Sequence, residues 1–411
     1  MENTYEGQQN RWIVILGTII AQIGLGTIYT WSLFNQPISK QFGWPVSKVA
    51  LTFSITSFAL SFSTLAAGKL QEKLGIRKLT TICGFLLGIG LLLTSKASSL
   101  AMLYITAGII LGAADGIGYI TSLSNAIKWF PEKKGLISGI SVGAYGTGSL
   151  IFKYLNGGLI SSKGISQAFI WWGIIAMALI IVGAQFLKDA PVEPNTNSNN
   201  LVGNVENVNF TVGEMLRTKE AYLLFIVFFS AAMSGLYMIG SVKDIGMQLA
   251  GLDAVTAANA VALVAIFNTV GRLVLGTLSD KLGRIKVVQF SIIVTVVSVF
   301  TLSSVHLNFG IFFTCVSAIA FCFGGNVTVY PTIVGEFFGL KNQTKNYGII
   351  YQGFGIGALS GSFISVLVGG FKPTFLIIGV LCIISVVILA VIKPPKKEEQ
   401  TSTNSHTCAA A

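Results

Sequence analysis

The sequence predicts an all-α membrane protein: twelve transmembrane helices in two pseudo-symmetric six-helix halves around a central cavity. Three observations predict it. Of 411 residues, 27 are Lys or Arg and 16 are Asp or Glu, so 10% are charged, where a soluble domain carries about 25%. Over half of the chain, 53%, is apolar and mean hydropathy is +0.74, which leaves too little polar surface to clothe a water-soluble globule. Long uncharged blocks recur along the whole length, and one charged loop pattern occurs twice, 208 residues apart.

A helix needs about 20 apolar residues to cross the hydrocarbon core. Twelve blocks qualify: 11–34, 47–69, 79–96, 99–127, 135–158, 166–187, 220–242, 254–279, 287–305, 308–337, 345–368 and 372–392. The first follows Arg11 and lacks a small-residue cleavage site, so it reads as a retained helix and not a signal peptide. An even number of spans puts both termini on one side. With the N-terminus inside, 19 Lys and Arg fall on the cytoplasmic side and 7 on the other, Arg272 being left within a span. The positive-inside rule therefore expects both termini in the cytoplasm, in a cell (inner or plasma) membrane.

The domain expectations follow from one polar interruption. Residues 1–187 form the first six-helix half and 220–393 the second. Residues 188–219, with the run Pro194-Asn195-Thr196-Asn197-Ser198-Asn199-Asn200, read as a cytoplasmic linker, and 394–411 as a disordered cytoplasmic tail. The net charge of +11 raises nucleic-acid binding, but the basic residues sit in short clusters between apolar blocks, which is membrane topology. Cys83, Cys315, Cys322 and Cys382 lie in apolar blocks as small core residues and Cys408 lies in the tail. With His306 and His406 the only histidines, no metal site and no cofactor are expected. Expected partners are the bilayer and a small solute, with no nucleic acid, and the chain is read as a monomer.

The repeat is explicit. Gly68-Lys69-Leu70-Gln71-Glu72-Lys73-Leu74-Gly75-Ile76-Arg77-Lys78 matches Gly276-Thr277-Leu278-Ser279-Asp280-Lys281-Leu282-Gly283-Arg284-Ile285-Lys286 at six of eleven positions. Two joined copies of six spans are a duplication with parallel halves. The glycines permit a tight turn, and the acid, Glu72 or Asp280, can sit near a helix N-terminus where the dipole favours it. Both loops resemble the signature loop of the major facilitator superfamily. The first copy departs in having Glu72 for Asp, and the second in having Ile285 at a basic position. A narrower resemblance rests on Tyr29-Thr30-Trp31-Ser32-Leu33-Phe34-Asn35-Gln36-Pro37, Trp129-Phe130-Pro131-Glu132-Lys133-Lys134-Gly135, Gly143-Ala144-Tyr145-Gly146-Thr147-Gly148 and Lys345-Asn346-Tyr347-Gly348. These look like the oxalate:formate antiporter branch, near the monocarboxylate transporters. The resemblance implies a secondary carrier of small organic anions, working as symporter or antiporter.

Arg272 is the first candidate for substrate chemistry. It lies eight residues before Asp280, about 12 Å along the helix axis, too deep to snorkel easily. A guanidinium grips a carboxylate through two parallel N–H···O bonds and keeps its proton. Pairing with Asp115, or reach to the cytoplasmic interface, is the alternative reading. The resemblance implies that an arginine here binds substrate carboxylate. Asn268, one turn away, can donate to the same group. The family's second cation, a lysine in the eleventh span, falls on Phe354. A dicarboxylate would leave one charge unpaired against an apolar wall, at a cost of several kcal/mol, so lactate, pyruvate, acetate or formate is expected over oxalate. The resemblance further implies pore-lining roles for Ile28, Tyr119, Tyr145, Phe323, Val327, Tyr351 and Phe354.

Asp115, one turn before Tyr119, is the acid clearly inside a span. It reads either as a proton carrier or as a structural partner of Arg272 or Lys153. Monocarboxylate transporters of animal type carry an Asp four residues before the eighth-span Arg, where this chain has Asn268. Enzyme chemistry is disfavoured, since the spans hold no nucleophile, base and metal-ligand constellation. A channel or a non-transporting sensor is the remaining rival class.

Overall fold

A computed structural model of the chain describes residues 4–130, 134–190, 209–339 and 342–395. The middle of the expected linker, residues 131–133 of the Trp129–Gly135 motif, and the tail from 396 with Cys408 lie outside the described residues. Every regular element among the described residues is helical. Eleven helices there are long and apolar enough to cross a membrane. The longest, Lys134–Gln185, has 52 residues. A straight helix of that length would run about 78 Å, against a hydrocarbon core of about 30 Å. It breaks at Gly164 (φ 79°, ψ 174°), so it carries the fifth and sixth spans, and the twelve crossings are those the sequence predicts.

Three spans differ from their expected form, the fourth by a π-helical stretch, Tyr104–Ile110, between Leu100–Leu103 and Leu111–Trp129. The first runs as Thr4–Leu25, a 3₁₀ stretch Gly26–Thr30 and a second helix Ser32–Phe42. Hydroxyls hold the 3₁₀ stretch: Thr27 Oγ1 donates to the Gly24 carbonyl at 3.0 Å and accepts the Trp172 indole N–H at 2.8 Å, while Thr30 Oγ1 accepts from Asn156 at 3.0 Å. The eleventh span is Gln343–Ile350 and Gln352–Val368, joined at Tyr351. Its break is fastened across the halves, since Ser61 of the second span (Val46–Leu74) donates to the Tyr351 carbonyl at 2.9 Å.

The duplication seen in sequence reappears as matched contacts. Gly75 and Gly283, 208 apart, both sit at positive φ, 73° and 92°, where they end the second span and the eighth (Ala254–Leu282). Gly116 packs its bare Cα on the Leu60 carbonyl, and Gly324 packs on the Asn268 carbonyl. Those two contacts are again 208 apart, so second-on-fourth packing in one half is eighth-on-tenth packing in the other. Small residues of this kind let membrane helices approach closely.

The loop acid departs from expectation in the first half. Glu72 is exposed, and the N–H of Ile76, which starts the third span Ile76–Thr94, is instead accepted by both oxygens of Asp189 at 3.1 Å. In the second half Asp280 meets Arg284 at 3.4 Å, and Arg284 also bridges to Glu336 on the tenth span, Phe309–Phe338. The outer ends of the eighth and tenth spans are capped by Asp253 and Asn308. The Thr256 side chain and backbone N–H hold the Asp253 carboxyl below its usual range.

The described ends of segment 188–219 are docked rather than free. Lys188 accepts at its carbonyl from Asn125 and Trp129 at 2.8 and 3.0 Å. Phe210 and Met215 are buried, and the Phe210 carbonyl accepts from Asn342 and Asn346, each at 3.0 Å. A reading by charge and polarity passed over these two apolar anchors. The halves meet where the second span packs on the eleventh, the fifth on the eighth, and the outer end of the first on the seventh, Lys219–Leu249.

A Gly324→Val substitution places branched carbon against the Asn268 backbone, which cannot yield as a side chain would. Overpacking of this kind costs about 1–3 kcal/mol, so the thermal midpoint in detergent, read by tryptophan fluorescence, is expected to fall clearly.

Candidate functional site

At the centre, between the halves, lies a small cavity of about 10 Å³ lined by Tyr29, Leu60, Tyr119, Tyr145, Arg272, Val327, Tyr351 and Phe354. That is room for about one water. Six of the sequence-predicted residues meet there: Arg272, Tyr119, Tyr145, Val327, Tyr351 and Phe354. They come from the fourth, fifth, eighth, tenth and eleventh spans, so both halves build the wall.

Arg272 is 2% exposed. One guanidinium nitrogen donates to the Val142 carbonyl of the fifth span at 3.2 Å, and Nε has no partner. Among the described residues no carboxylate comes within ion-pair distance of it. A buried cation without a counter-charge is costly and calls for an anion.

The Asp115 alternatives separate here. Asp115 is fully buried, and its Oδ2 accepts the Tyr145 hydroxyl at 2.7 Å while Oδ1 has no partner. It pairs with neither Arg272 nor Lys153, whose ammonium donates to Asn259 at 3.1 Å. Asp115 thus stands one hydroxyl behind the cavity wall. The Tyr145 ring meets Tyr119 and Tyr29 edge-on at centroid distances of 5.1 and 5.5 Å.

Three predicted wall residues do not reach the cavity. Ile28 is buried elsewhere, because the 3₁₀ winding of Gly26–Thr30 presents Tyr29 instead. Asn268 does lie one turn from Arg272, yet its amide donates to the Ala320 carbonyl at 3.4 Å, since Gly324 draws the tenth span against it. Phe323 stacks on Phe354 at 6.1 Å and backs the wall from outside. Tyr29 and Leu60 were missed. A local change from α to 3₁₀ geometry leaves little trace in periodicity, though the run Gly24-Leu25-Gly26-Thr27 marked a break. Leu60 carried no chemical signal at all.

Toward the ends of the spans on the side of the described N-terminal residues, a second space of about 40 Å³ shares Tyr119, Val327 and Tyr351 with the first. Its further lining, Leu123, Ser138, Pro331 and Tyr347 among others, lies inward on the fourth, fifth, tenth and eleventh spans.

Two six-span halves about a buried charged cavity are matched by comparison with known proteins. The family model described as the Major Facilitator Superfamily fits residues 14–302 and, again, 223–407. The chain belongs to the major facilitator superfamily. Members of this superfamily are multi-pass membrane transporters and not enzymes. Among relatives, the MFS-type transporter YhjX of Escherichia coli (strain K12) is 47% identical over 352 residues, covering 86% of this chain and 87% of that one. The oxalate:formate antiporter of Oxalobacter formigenes is 27% identical over 407 residues, covering 96% and 95%. Monocarboxylate transporter 13 of Bos taurus is 22% identical over 276 residues, covering 66% and 61%.

Within this superfamily member the Asp115–Tyr145 pair is structurally exacting. Tyr145→Phe leaves a buried carboxyl with no donor, a loss of about 1–3 kcal/mol. Asp115→Asn keeps an oxygen that accepts the hydroxyl. Thermal denaturation is expected to rank Tyr145→Phe as the less stable of the two.

Proposed function

We propose that the protein is a secondary active transporter of small monocarboxylates, of the lactate, pyruvate, acetate and formate class, working by alternating access. Arg272 is the carboxylate anchor. The observation that carries this reading is a guanidinium 2% exposed, on a cavity wall shared by both halves, without a carboxylate of the described residues in ion-pair range. The relatives named for oxalate and formate exchange and for monocarboxylate transport support a small carboxylate as cargo. Phe354 and Val327 supply an apolar wall opposite the anchor, while Tyr29, Tyr119 and Tyr351 bring phenols to the same space. One fixed positive charge suits one negative charge.

Coupling to a proton is part of this reading. Asp115 is reached from the cavity through the Tyr145 hydroxyl, so a proton could pass between cavity and carboxylate by reorienting one phenol. We place the chain in the cell membrane with both termini cytoplasmic, on the distribution of Lys and Arg.

Arg272→Ala removes the anchor and leaves the cavity wall otherwise intact. Affinity for a labelled monocarboxylate in proteoliposomes is expected to fall about a hundredfold or more, with only partial rescue by Arg272→Lys, whose ammonium lacks the planar fork. Wild-type affinity in Arg272→Ala would sink the anchor role.

The cargo's charge is tested by competition. Against one labelled monocarboxylate, lactate or pyruvate is expected to compete about a hundredfold better than oxalate, whose second carboxylate would face Phe354. Phe354→Lys should narrow that gap and weaken monocarboxylate binding. If oxalate competes best against the unmodified protein, the exchange of dicarboxylate for monocarboxylate, as in the Oxalobacter relative's name, becomes the better reading.

A further inference from the structure

The outer ends of the halves carry a polar cluster that the carboxylate reading does not use. Asn35 and Gln36 stand on the outer helix of the first span, Ser32–Phe42, one turn past the 3₁₀ stretch. Asp244 stands near the outer end of the seventh span. The Asn35 amide donates to Asp244 Oδ2 at 2.8 Å and to the Gly240 carbonyl at 2.9 Å, and the Gln36 amide donates to Asp244 Oδ1 at 2.9 Å. Both carboxylate oxygens are therefore held by the opposite half.

Three features make this more than a surface contact. Asn35 and Asp244 are each 0% exposed, and hydrogen bonds to a buried ion are among the strong ones. Gln36 and Asp244 are 208 residues apart, the spacing of the duplication, so equivalent positions of the two halves meet each other at the pseudo-twofold axis. Directly inward, Gly240 lies against the Phe53 ring, and Phe53 meets Tyr29, a wall residue of the central cavity, edge-on at 6.2 Å.

The Asp244 carboxylate also borders an outer vestibule of about 390 Å³, with Ser241, Gln248 and Tyr237 of its own span and Ser362 and Ser365 of the eleventh. Water in that vestibule can re-solvate Asp244 as its amide donors leave, so release does not strand a charge in hydrocarbon.

We propose that Asn35, Gln36 and Asp244 form the latch of the outer gate: they hold the outer ends of the two halves closed, and their separation is a required step in opening the cavity outward. This rests on the alternating-access reading but not on the identity of the cargo.

The test reads distance without any cargo. Spin labels on Gln41→Cys and Val255→Cys, both exposed at the outer ends of opposite halves, report the gate by pulsed dipolar spectroscopy in lipid nanodiscs. Cys408 is replaced by Ala, and the four described native cysteines are buried. Asp244→Ala and Gln36→Ala are each expected to move population to longer distances, with the open-to-closed ratio rising roughly tenfold for Asp244→Ala, the factor a hydrogen bond to a buried charge supports. Asp244→Asn, which keeps one acceptor oxygen, should fall between it and wild type. Unchanged distances in both Ala variants overturn the latch. So does widening in Asp244→Ala alone, accompanied by a lowered thermal midpoint, since that pattern marks a packing role. Should Asp244→Ala fail to fold, Gln36→Ala decides by itself. Failure of the Arg272 affinity test with a widening Gln36→Ala would separate a wrong cargo from a wrong gate.

Discussion

A guanidinium sealed between two helix bundles, with no carboxylate of the described residues near enough to neutralise it, is the constraint around which the structure is arranged. In hydrocarbon such a charge is expensive, and a chain that keeps one must bury it where something else supplies the anion or the water. Arg272 is placed on the seam of the halves, where a guanidinium nitrogen donates to a backbone carbonyl of the opposite half. Its position follows from the eighth span's fit to the tenth, where Gly324 lets the two backbones touch at Asn268, one turn away. The charge is thus held rigidly by packing and loosely by hydrogen bonds, which is the combination a binding group needs.

The remainder of the cavity is a consequence of how the halves close around that point. The 3₁₀ stretch of the first span and the break of the eleventh at Tyr351 are both departures from regular helix, and both fall at cavity depth. Irregular backbone in a membrane survives only where other groups satisfy it. Here Thr27, Thr30, Trp172, Asn156 and Ser61 do so. These five side chains, none of them on the cavity wall, let Tyr29 and Tyr351 face Arg272.

From the centre to the rim, the halves are joined by the walls of a small cavity and by the contact of Asp244 with Asn35 and Gln36. The cavity has room for about one water, a second small space adjoins it, and Asp244 with its two amide partners borders the vestibule beyond the Tyr29–Phe53 contact. In the proposed gate, the bonds of Asn35 and Gln36 to Asp244 set how readily the outer ends part.

The sequence by itself determined the class, the number of crossings, the duplication and the superfamily, because each is a matter of composition or of spacing. Apolar length decides a span regardless of what surrounds it, and a 208-residue offset is legible without coordinates. It also singled out Arg272 and Phe354, since a charge at depth, or its absence where a resemblance implies one, stands out in an apolar block. Only the tertiary structure decided which neighbours face the charge. Asn268 shares a helix face with Arg272, yet the tenth span claims its amide. Ile28 and Tyr29 exchanged roles because a tighter winding rotates the chain. Asp115 proved to be the partner of Tyr145, thirty residues on, and Asn35 and Gln36, quoted at first for a resemblance alone, proved to grip Asp244 in the other half. Pairings between residues far apart in the chain depend on how helices rotate and cross, and no local pattern encodes that.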